Sequence, residues 1–270
     1  MPCLLPGLAR AWPAVAGRAG GADSADGCGE GGWADLEWWR AAHGARTVPL
    51  ELGEQGGDGW REELSTVADF VDRYLAPSTR ADVHAVAQAV GGGDSSEGSE
   101  GACDVGYMAQ HHLLEQLPSL LEDIEVPAVC AVADGVSKIN AWLGTRGTVS
   151  PCHYDSYDNV FVQVAGVKRM RIYPTSQSKF LYRCRGGWKG QRAWPSPEEQ
   201  AAAAATGGGG KGTISAVDVE APDLERFPRF AEARGFDVTL HPGDALYLPA
   251  RCWHHVRAIT TSISLSFHLN

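Results

Sequence analysis

The sequence predicts a mainly β protein, a barrel or jelly roll with flanking α-helices, and three stretches carry that prediction. From Asn159, the residues Val160, Val162 and Val164 alternate with Phe161, Gln163 and Ala165; Gly166 then marks a turn, and alternation resumes from Lys168 to Tyr173. This pair reads as a hairpin. Gly243 to Pro249 (GDALYLP) is a second strand signal, and in Thr261 to Leu269 the residues Ile263, Leu265 and Phe267 alternate with Ser262, Ser264 and Ser266. Side chains on a strand point to opposite faces in turn, so each pattern offers one face to a core. Turn-punctuated strands throughout the second half of a chain favour a barrel or jelly roll.

The first half adds a strand and a helix. Val48, Leu50 and Leu52 alternate within Thr47 to Leu52, which suits a half-buried strand, whereas Leu64, Val67, Phe70, Val71 and Tyr74 recur every three or four residues between Arg61 and Leu75, the period of an amphipathic helix. His111 and His112 are expected on another helix. Leu224, Phe227 and Phe230 after Pro222 predict a short helix within Asp223 to Arg234. Two low-complexity stretches, 91–101 (GGGDSSEGSEG) and 199–213 with its AAAAATGGGGKG run, read as flexible surface insertions because such residues bury too little apolar surface to offset their ordering entropy. One catalytic domain is therefore expected over residues 1–270, with an N-terminal strand and helices near 40–85 and a jelly-roll core over 105–270.

Composition narrows the function. A formal net charge of -10 speaks against a nonspecific nucleic-acid binder and suits a basic protein or peptide substrate. Seven scattered cysteines without a CxxC pair read as a reduced intracellular chain. No stretch reaches the roughly 18 to 20 apolar residues of a membrane span. The first twenty residues, rich in Ala and Arg and free of acids, read as a partly folded segment, with an organelle transit peptide as the competing reading.

The chemistry rests on two short motifs. In His153-Tyr154-Asp155 the first and third residues share one face of a strand and can grip one ion. The tripeptide alone is common, but Trp253-His254-His255 lies between the strand ending at Pro249 and the strand starting at Thr261, and a barrel can return it beside the first motif. Two imidazoles and one carboxylate leave coordination positions open, the donor set of nonhaem iron(II) oxygenases. The 2-oxoglutarate that such oxygenases take as cosubstrate needs a cation for its distal carboxylate. Lys168, opposite in phase to Arg169 and Arg171, is the candidate to face the interior.

The run Ala141 to Tyr173 (AWLGTRGTVSPCHYDSYDNVFVQVAGVKRMRIY), with GDALYLPARCWHHVRA and SISLSF, resembles the Jumonji-C domain, a cupin-like double-stranded β-helix. More narrowly, LPGLARAWP, RTVPLELG, GYMAQHHLLEQLP and DVEAPDLERFPRF resemble the lysine demethylase 8, or Jumonji domain-containing protein 5, group. The resemblance implies an iron(II)- and 2-oxoglutarate-dependent dioxygenase using dioxygen, with His153, Asp155 and His254 as metal ligands and catalytic centre. His254 takes that position over His255 because the ligand directly follows the tryptophan. It also implies Lys168, Tyr107, Ser150 (where the group usually has Thr) and Asn159 as cosubstrate contacts, and Trp142 and Gln110 in the substrate pocket. Hydroxylation of a protein side chain, an arginyl one being preferred, and demethylation of N-methyl lysine share this site; the nucleus or cytoplasm is the location implied. The competing class is a noncatalytic peptide-binding barrel with a retained structural metal.

The resemblance has one local departure: the group often ends in a Trp-rich strand, whereas this chain ends His268-Leu269-Asn270. Among other candidates, His241 is expected in a turn, Cys152 as a buried inert thiol, and His255 facing away from the metal with a supporting hydrogen bond.

Overall fold

The computed structural model describes residues 1–17, 31–53, 59–91, 104–132, 135–184, 195–207 and 212–270. Two antiparallel sheets face each other as a cupin sandwich. The larger runs Cys3–Leu5, Ala245–Leu248, Asn159–Ala165, Ser262–Leu269, Val136–Gly144, Gly106–His111, Thr47–Leu52 and Arg61–Thr66 in order across the sheet. The smaller runs Phe236–Leu240, Lys168–Tyr173, Trp253–Ala258, Val149–His153, Ile214–Ser215 and Arg183–Cys184.

Helices cover the outer face of the larger sheet. Val160, Val162 and Val164 join Ile263, Leu265 and Phe267 in one apolar cluster with Trp12, Trp33, Trp39, Phe70 and Leu75. Phe161 of the same strand turns to the other face, in one cluster with Met170, Ile172, Leu246 and Leu248. All seven residues of Asn159–Ala165 are consequently buried, which explains an apolar run on both faces. Burying an apolar side chain of this size contributes about 1.5–3 kcal/mol. Two indoles of this layer are paired: the Trp33 Nε1–H donates to Asp123 Oδ2 at 3.0 Å and the Trp39 Nε1–H to the Trp33 carbonyl at 2.8 Å.

The expected hairpin across Gly166 is corrected by this topology. Asn159–Ala165 lies in the larger sheet and Lys168–Tyr173 in the smaller, so the turn carries the chain from one sheet to the other. The alternation was real, but alternation reports faces and not partners. Gly166 adopts φ +70°, and a Cβ there would stand 2.0 Å from the Thr261 carbonyl oxygen. Gln163 braces the crossing, its Nε2 donating to the Ala165 carbonyl at 2.7 Å while its Oε1 accepts from Ser264 Oγ at 2.8 Å.

Other expectations divide. Val48, Leu50 and Leu52 are buried as their alternation requires. The helix expected from Arg61 begins only at Val67; Arg61–Thr66 is an edge strand paired with Thr47–Leu52, and Leu64 is 76% exposed. Its charged residues suit an edge, where they deter pairing with another chain. His111 ends a strand and His112 precedes a short helix, so neither lies within the helix expected for them. The flexible-insertion reading of 199–213 fails in its first half, because Pro197–Ala205 is a helix closed by a capping box between Ser196 and Glu199, with Ala203 buried. Alanine's high helix propensity and that cap outweigh low complexity. Residues 208–211 and 92–103 lie outside the described residues. Within Asp223 to Arg234, Phe227 and Phe230 are buried but only Pro228–Glu232 is helical, as a 3-10 turn, and Leu224 is exposed. The N-terminal segment is built into the core through Ala9, Trp12 and Ala14, and Cys3–Leu5 extends the larger sheet. Among the described residues no helix is long and apolar enough to cross a membrane.

The two glycines Gly166 and Gly147 separate strain from collision. Both have positive φ, but nothing lies within 4 Å of a Cβ built on Gly147. Gly147→Ala is expected to cost about 1–2 kcal/mol from the left-handed backbone alone. Gly166→Ala adds a backbone clash and is expected to cost at least about 3 kcal/mol. Urea unfolding of both variants checks this order.

Candidate metal centre and cosubstrate cavity

Cross-strand register builds the site. The strands Val149–His153 and Trp253–Ala258 pair with His153 opposite His254, and an irregularity follows before Val256 pairs with Ser150. Both imidazoles face the interior, with ring centroids 4.3 Å apart. Asp155 completes the cluster from the loop just beyond the strand end, a difference from the expected shared strand face. Its carboxylate stands 3.8 Å from His254 Nε2, and one ligand atom from each of His153, Asp155 and His254 lies within 4.8 Å of the others.

The histidine tautomers are fixed by the backbone. His153 Nδ1 lies 2.6 Å from the Pro151 carbonyl and His254 Nδ1 lies 3.1 Å from the Cys252 carbonyl. A carbonyl only accepts, so each Nδ1 carries the proton and each Nε2 is the ring nitrogen whose lone pair can bind an ion. Burial and the neighbouring His153 push His254 well below the usual imidazole range and keep it neutral. Two imidazole nitrogens and one carboxylate oxygen form a donor set that fits iron(II).

Beside the triad is a cavity of about 200 Å³, lined by all nine predicted site residues: Tyr107, Gln110, Trp142, Ser150, His153, Asp155, Asn159, Lys168 and His254. Lys168 is 1% exposed, and its ammonium has no hydrogen-bond partner. It lies 5.6 Å from the Tyr107 ring centroid and 5.5 Å from that of Phe161. Burial lowers its pKa to about 7. An ammonium desolvated without a counter-charge is costly, so the cavity is built to receive an anion at this end. Tyr107 and Ser150 also line the cavity, and burial holds the Tyr107 phenol far above its ordinary range. The Asn159 amide oxygen is also buried without a partner.

Trp142 also lines the cavity, its ring centroid 6.1 Å from that of Tyr107. Trp142 Nε1–H donates to Ser266 Oγ at 2.8 Å. Gln110 lines the wall at φ +49°, in an irregularity of the strand pairing between Met108 and His111. Reasoning from sequence missed Tyr154, Ser156, Tyr157, Thr213, Ser266 and His268, which also line the cavity. A usable signal was present: Ser262, Ser264 and Ser266 alternate with an apolar face, and the last of them lines the cavity.

Several bystanders are placed. His255 faces away from the triad, as expected, but the supporting hydrogen bond is absent: its Nε2 has no hydrogen-bond partner and lies 3.8 Å from Glu220 Oε2. Burial pushes His255 down to about 4. Glu220 is already committed to Arg169 and Arg257, at 3.0 Å and 2.7 Å. His111 and His112 interact with Gln116 and Glu115. Cys152 is buried, which pushes its thiol far up and leaves it inert, and His241 opens a turn closed by Asp244.

Comparison with known proteins agrees with this geometry. A family model described as a cupin-like domain matches residues 1–269. Lysine-specific demethylase 8 of Danio rerio is 34% identical over 270 residues, covering 98% of this chain and 52% of that protein. Jumonji C domain-containing protein 5 of Drosophila melanogaster is 31% identical over 240 residues, covering 87% and 50%. Lysine-specific demethylase JMJ30 of Arabidopsis thaliana is 31% identical over 237 residues, covering 87% and 45%. The chain spans about half the length of the curated relatives it matches. Its His-Asp-His cluster is consistent with an iron(II)- and 2-oxoglutarate-dependent oxygenase. On these grounds the chain belongs to the cupin-like domain family, as a Jumonji-C protein resembling lysine-specific demethylase 8.

Proposed function

We propose that this protein is an iron(II)- and 2-oxoglutarate-dependent dioxygenase that hydroxylates a protein side chain, an arginyl side chain being the preferred target. The observation that carries the reading is Lys168, a buried ammonium with no anion, in the same cavity as the His-Asp-His triad. A cupin holding metal for another purpose has no use for that cation there. His153, Asp155 and His254 would hold the iron, and Lys168 would pair with the distal carboxylate of 2-oxoglutarate. Iron with 2-oxoglutarate and dioxygen supplies the oxidising power to insert one oxygen atom into a substrate C–H bond, leaving succinate and carbon dioxide.

The chain's own groups bind, orient and exclude water. Tyr107 and Phe161 shield the Lys168 ammonium, which strengthens its attraction for a carboxylate. Trp142 and Gln110 would position the substrate side chain. Support for a basic substrate comes from Glu51 and Asp218, which line a neighbouring cavity that shares Tyr107 as a wall. Burial and Glu62 raise the Glu51 carboxyl to about 7, so an arriving cation would favour its ionised form. Demethylation of an N-methyl group would use the same centre; the narrow aromatic wall favours a target smaller than trimethyl-lysine.

Succinate formation tests the reading. Wild-type protein with iron(II), ascorbate, dioxygen and 2-oxoglutarate is expected to make succinate slowly without a protein substrate, and His153→Ala to fall to background. Lys168→Ala is expected to weaken 2-oxoglutarate binding by roughly 30-fold or more, the effect of removing one partner of a buried charge pair. No succinate from fully iron-loaded wild type, with or without basic peptides, would favour a peptide-binding barrel with a structural metal.

Protonation of Lys168 supplies a second test. With its pKa lowered to about 7, the amine is largely neutral above pH 7 before an anion arrives. A bound carboxylate favours the charged form, so 2-oxoglutarate binding at pH 8 is expected to take up close to one proton, and at pH 6 almost none. Affinity should therefore fall as pH rises above 7, approaching roughly tenfold per unit. Calorimetry of the manganese-loaded protein in buffers of different ionisation enthalpy measures the uptake, and Lys168→Met is expected to abolish it.

A further inference from the structure

A row of paired residues leads from the cosubstrate cavity toward the edge of the larger sheet. Tyr107, on the cavity wall, is Cα-paired with Glu51, and Glu51 is Cα-paired with Glu62 on the edge strand. Residues directly opposed in antiparallel strands point to one face, and like charges placed so repel each other. The charged neighbour acting on Glu51 is thus another acid. Tyr107 also walls a second cavity of about 230 Å³, whose lining includes Glu51, Trp60, Asp218 and His255. Asp218 accepts from the Glu220 and Ala221 N–H groups through Oδ1, at 2.9 Å and 3.3 Å, which fixes its carboxylate at that wall. Arg257 lines the same cavity, but its charge is matched by Glu220, to which its Nε–H donates at 2.9 Å and 2.7 Å.

A second observation points to a ligand here. His255 is 3% exposed, and its Nε2 is buried without a hydrogen-bond partner; so is the Trp60 Nε1–H. Unpaired buried polar atoms are costly until a bound group completes them. A ligand N–H would serve the imidazole nitrogen and a peptide carbonyl the indole, a combination that a basic residue within a peptide carries. Among the described residues only the triad brings three metal-ligand atoms together, so a second metal ion does not explain these acids.

We propose that this cavity is a second substrate subsite, taking the cationic side chain, guanidinium or ammonium, of a residue that flanks the one entering the metal cavity. Glu51 and Asp218 supply the counter-charge, and the rings of Trp60 and Tyr107 offer aromatic faces to the cation. The shared Tyr107 wall makes two side chains of one peptide the natural joint occupants. That the peptide is the substrate rests on the proposed function; that the cavity binds a cation does not.

Protein labelled with fluorotryptophan gives each cavity its own reporter in fluorine NMR, Trp60 for this one and Trp142 for the metal cavity, assigned with Trp60→Phe and Trp142→Phe. The probes are N-acetylarginine amide and N-acetyllysine amide, which separate guanidinium from ammonium, with neutral N-acetylglutamine amide as control. The cationic probes are expected to shift the Trp60 resonance saturably and the neutral one to leave it in place. Glu51→Gln and Asp218→Asn, near-isosteric and checked by thermal melting, are each expected to weaken binding at Trp60 roughly fivefold, the upper end for a partly exposed ion pair. A peptide with two suitably spaced arginines should move both reporters and bind at least about tenfold tighter than its single-arginine counterpart. A Trp60 resonance unmoved by both cationic probes would overturn the subsite. So would equal movement with the glutamine probe, or undiminished binding when both acids are replaced. Cation binding with no gain from a second arginine at any spacing would overturn its assignment to a flanking residue. None of these readouts needs turnover, so a failure to form succinate counts against the proposed reaction alone, and an unmoved Trp60 counts against the subsite alone.

Discussion

The site depends on one cross-strand register, His153 opposite His254. A shift of one residue on either strand would turn one imidazole out of the barrel and place Cys152 or His255 inside. Two features guard the register. Trp253 is fully buried beside Tyr154, their ring centroids 4.8 Å apart, and donates Nε1–H to Ser178 Oγ at 2.8 Å. On the reverse side, Arg257 on one strand and Arg169 on its neighbour converge on Glu220. The motif Trp-His-His is thus a packing anchor, a ligand and an outward residue in succession.

Electrostatics then set Lys168 apart from the rest of the cavity lining. Lys168 lies where an anion is required, and among the described lining residues Asp155 is the sole acidic side chain. The rest of the lining includes neutral polar and aromatic groups, among them Gln110, Trp142, Ser266 and His268. An elongated diacid that pairs one carboxylate with Lys168 would extend its other end toward the triad. The protein invests in burying an uncompensated amine, and that cost is regained only on binding the anion.

Much of this arrangement was legible in the sequence, for reasons that can be traced to individual residues. Alternation correctly placed Lys168 inward and Arg169 and Arg171 outward, since face is a local property of a strand. Partner strand is not local: the same alternation gave no indication that Gly166 carries the chain between sheets. Periodicity misled at Leu64, an exposed edge residue that happened to fall in phase with a helix beginning at Val67. Composition misled at Ala201 to Ala205, where a capping box made a low-complexity run helical. Tyr157 and His268 escaped notice because they lie 111 positions apart and meet only through the fold. The choice of His254 over His255 came from resemblance, and the structure places His254 in the cluster with its Nδ1 facing the Cys252 carbonyl.

The most direct test of the account is the visible charge-transfer absorption that appears when iron(II) chelates a 2-oxo acid without oxygen. Anaerobic addition of iron(II) and 2-oxoglutarate should produce that band at one equivalent of each in the wild type and in His255→Gln, and not in His254→Ala. A band that survives in His254→Ala, or none in the wild type at saturating iron and 2-oxoglutarate, would contradict the assignment of this cavity as the iron and 2-oxoglutarate site.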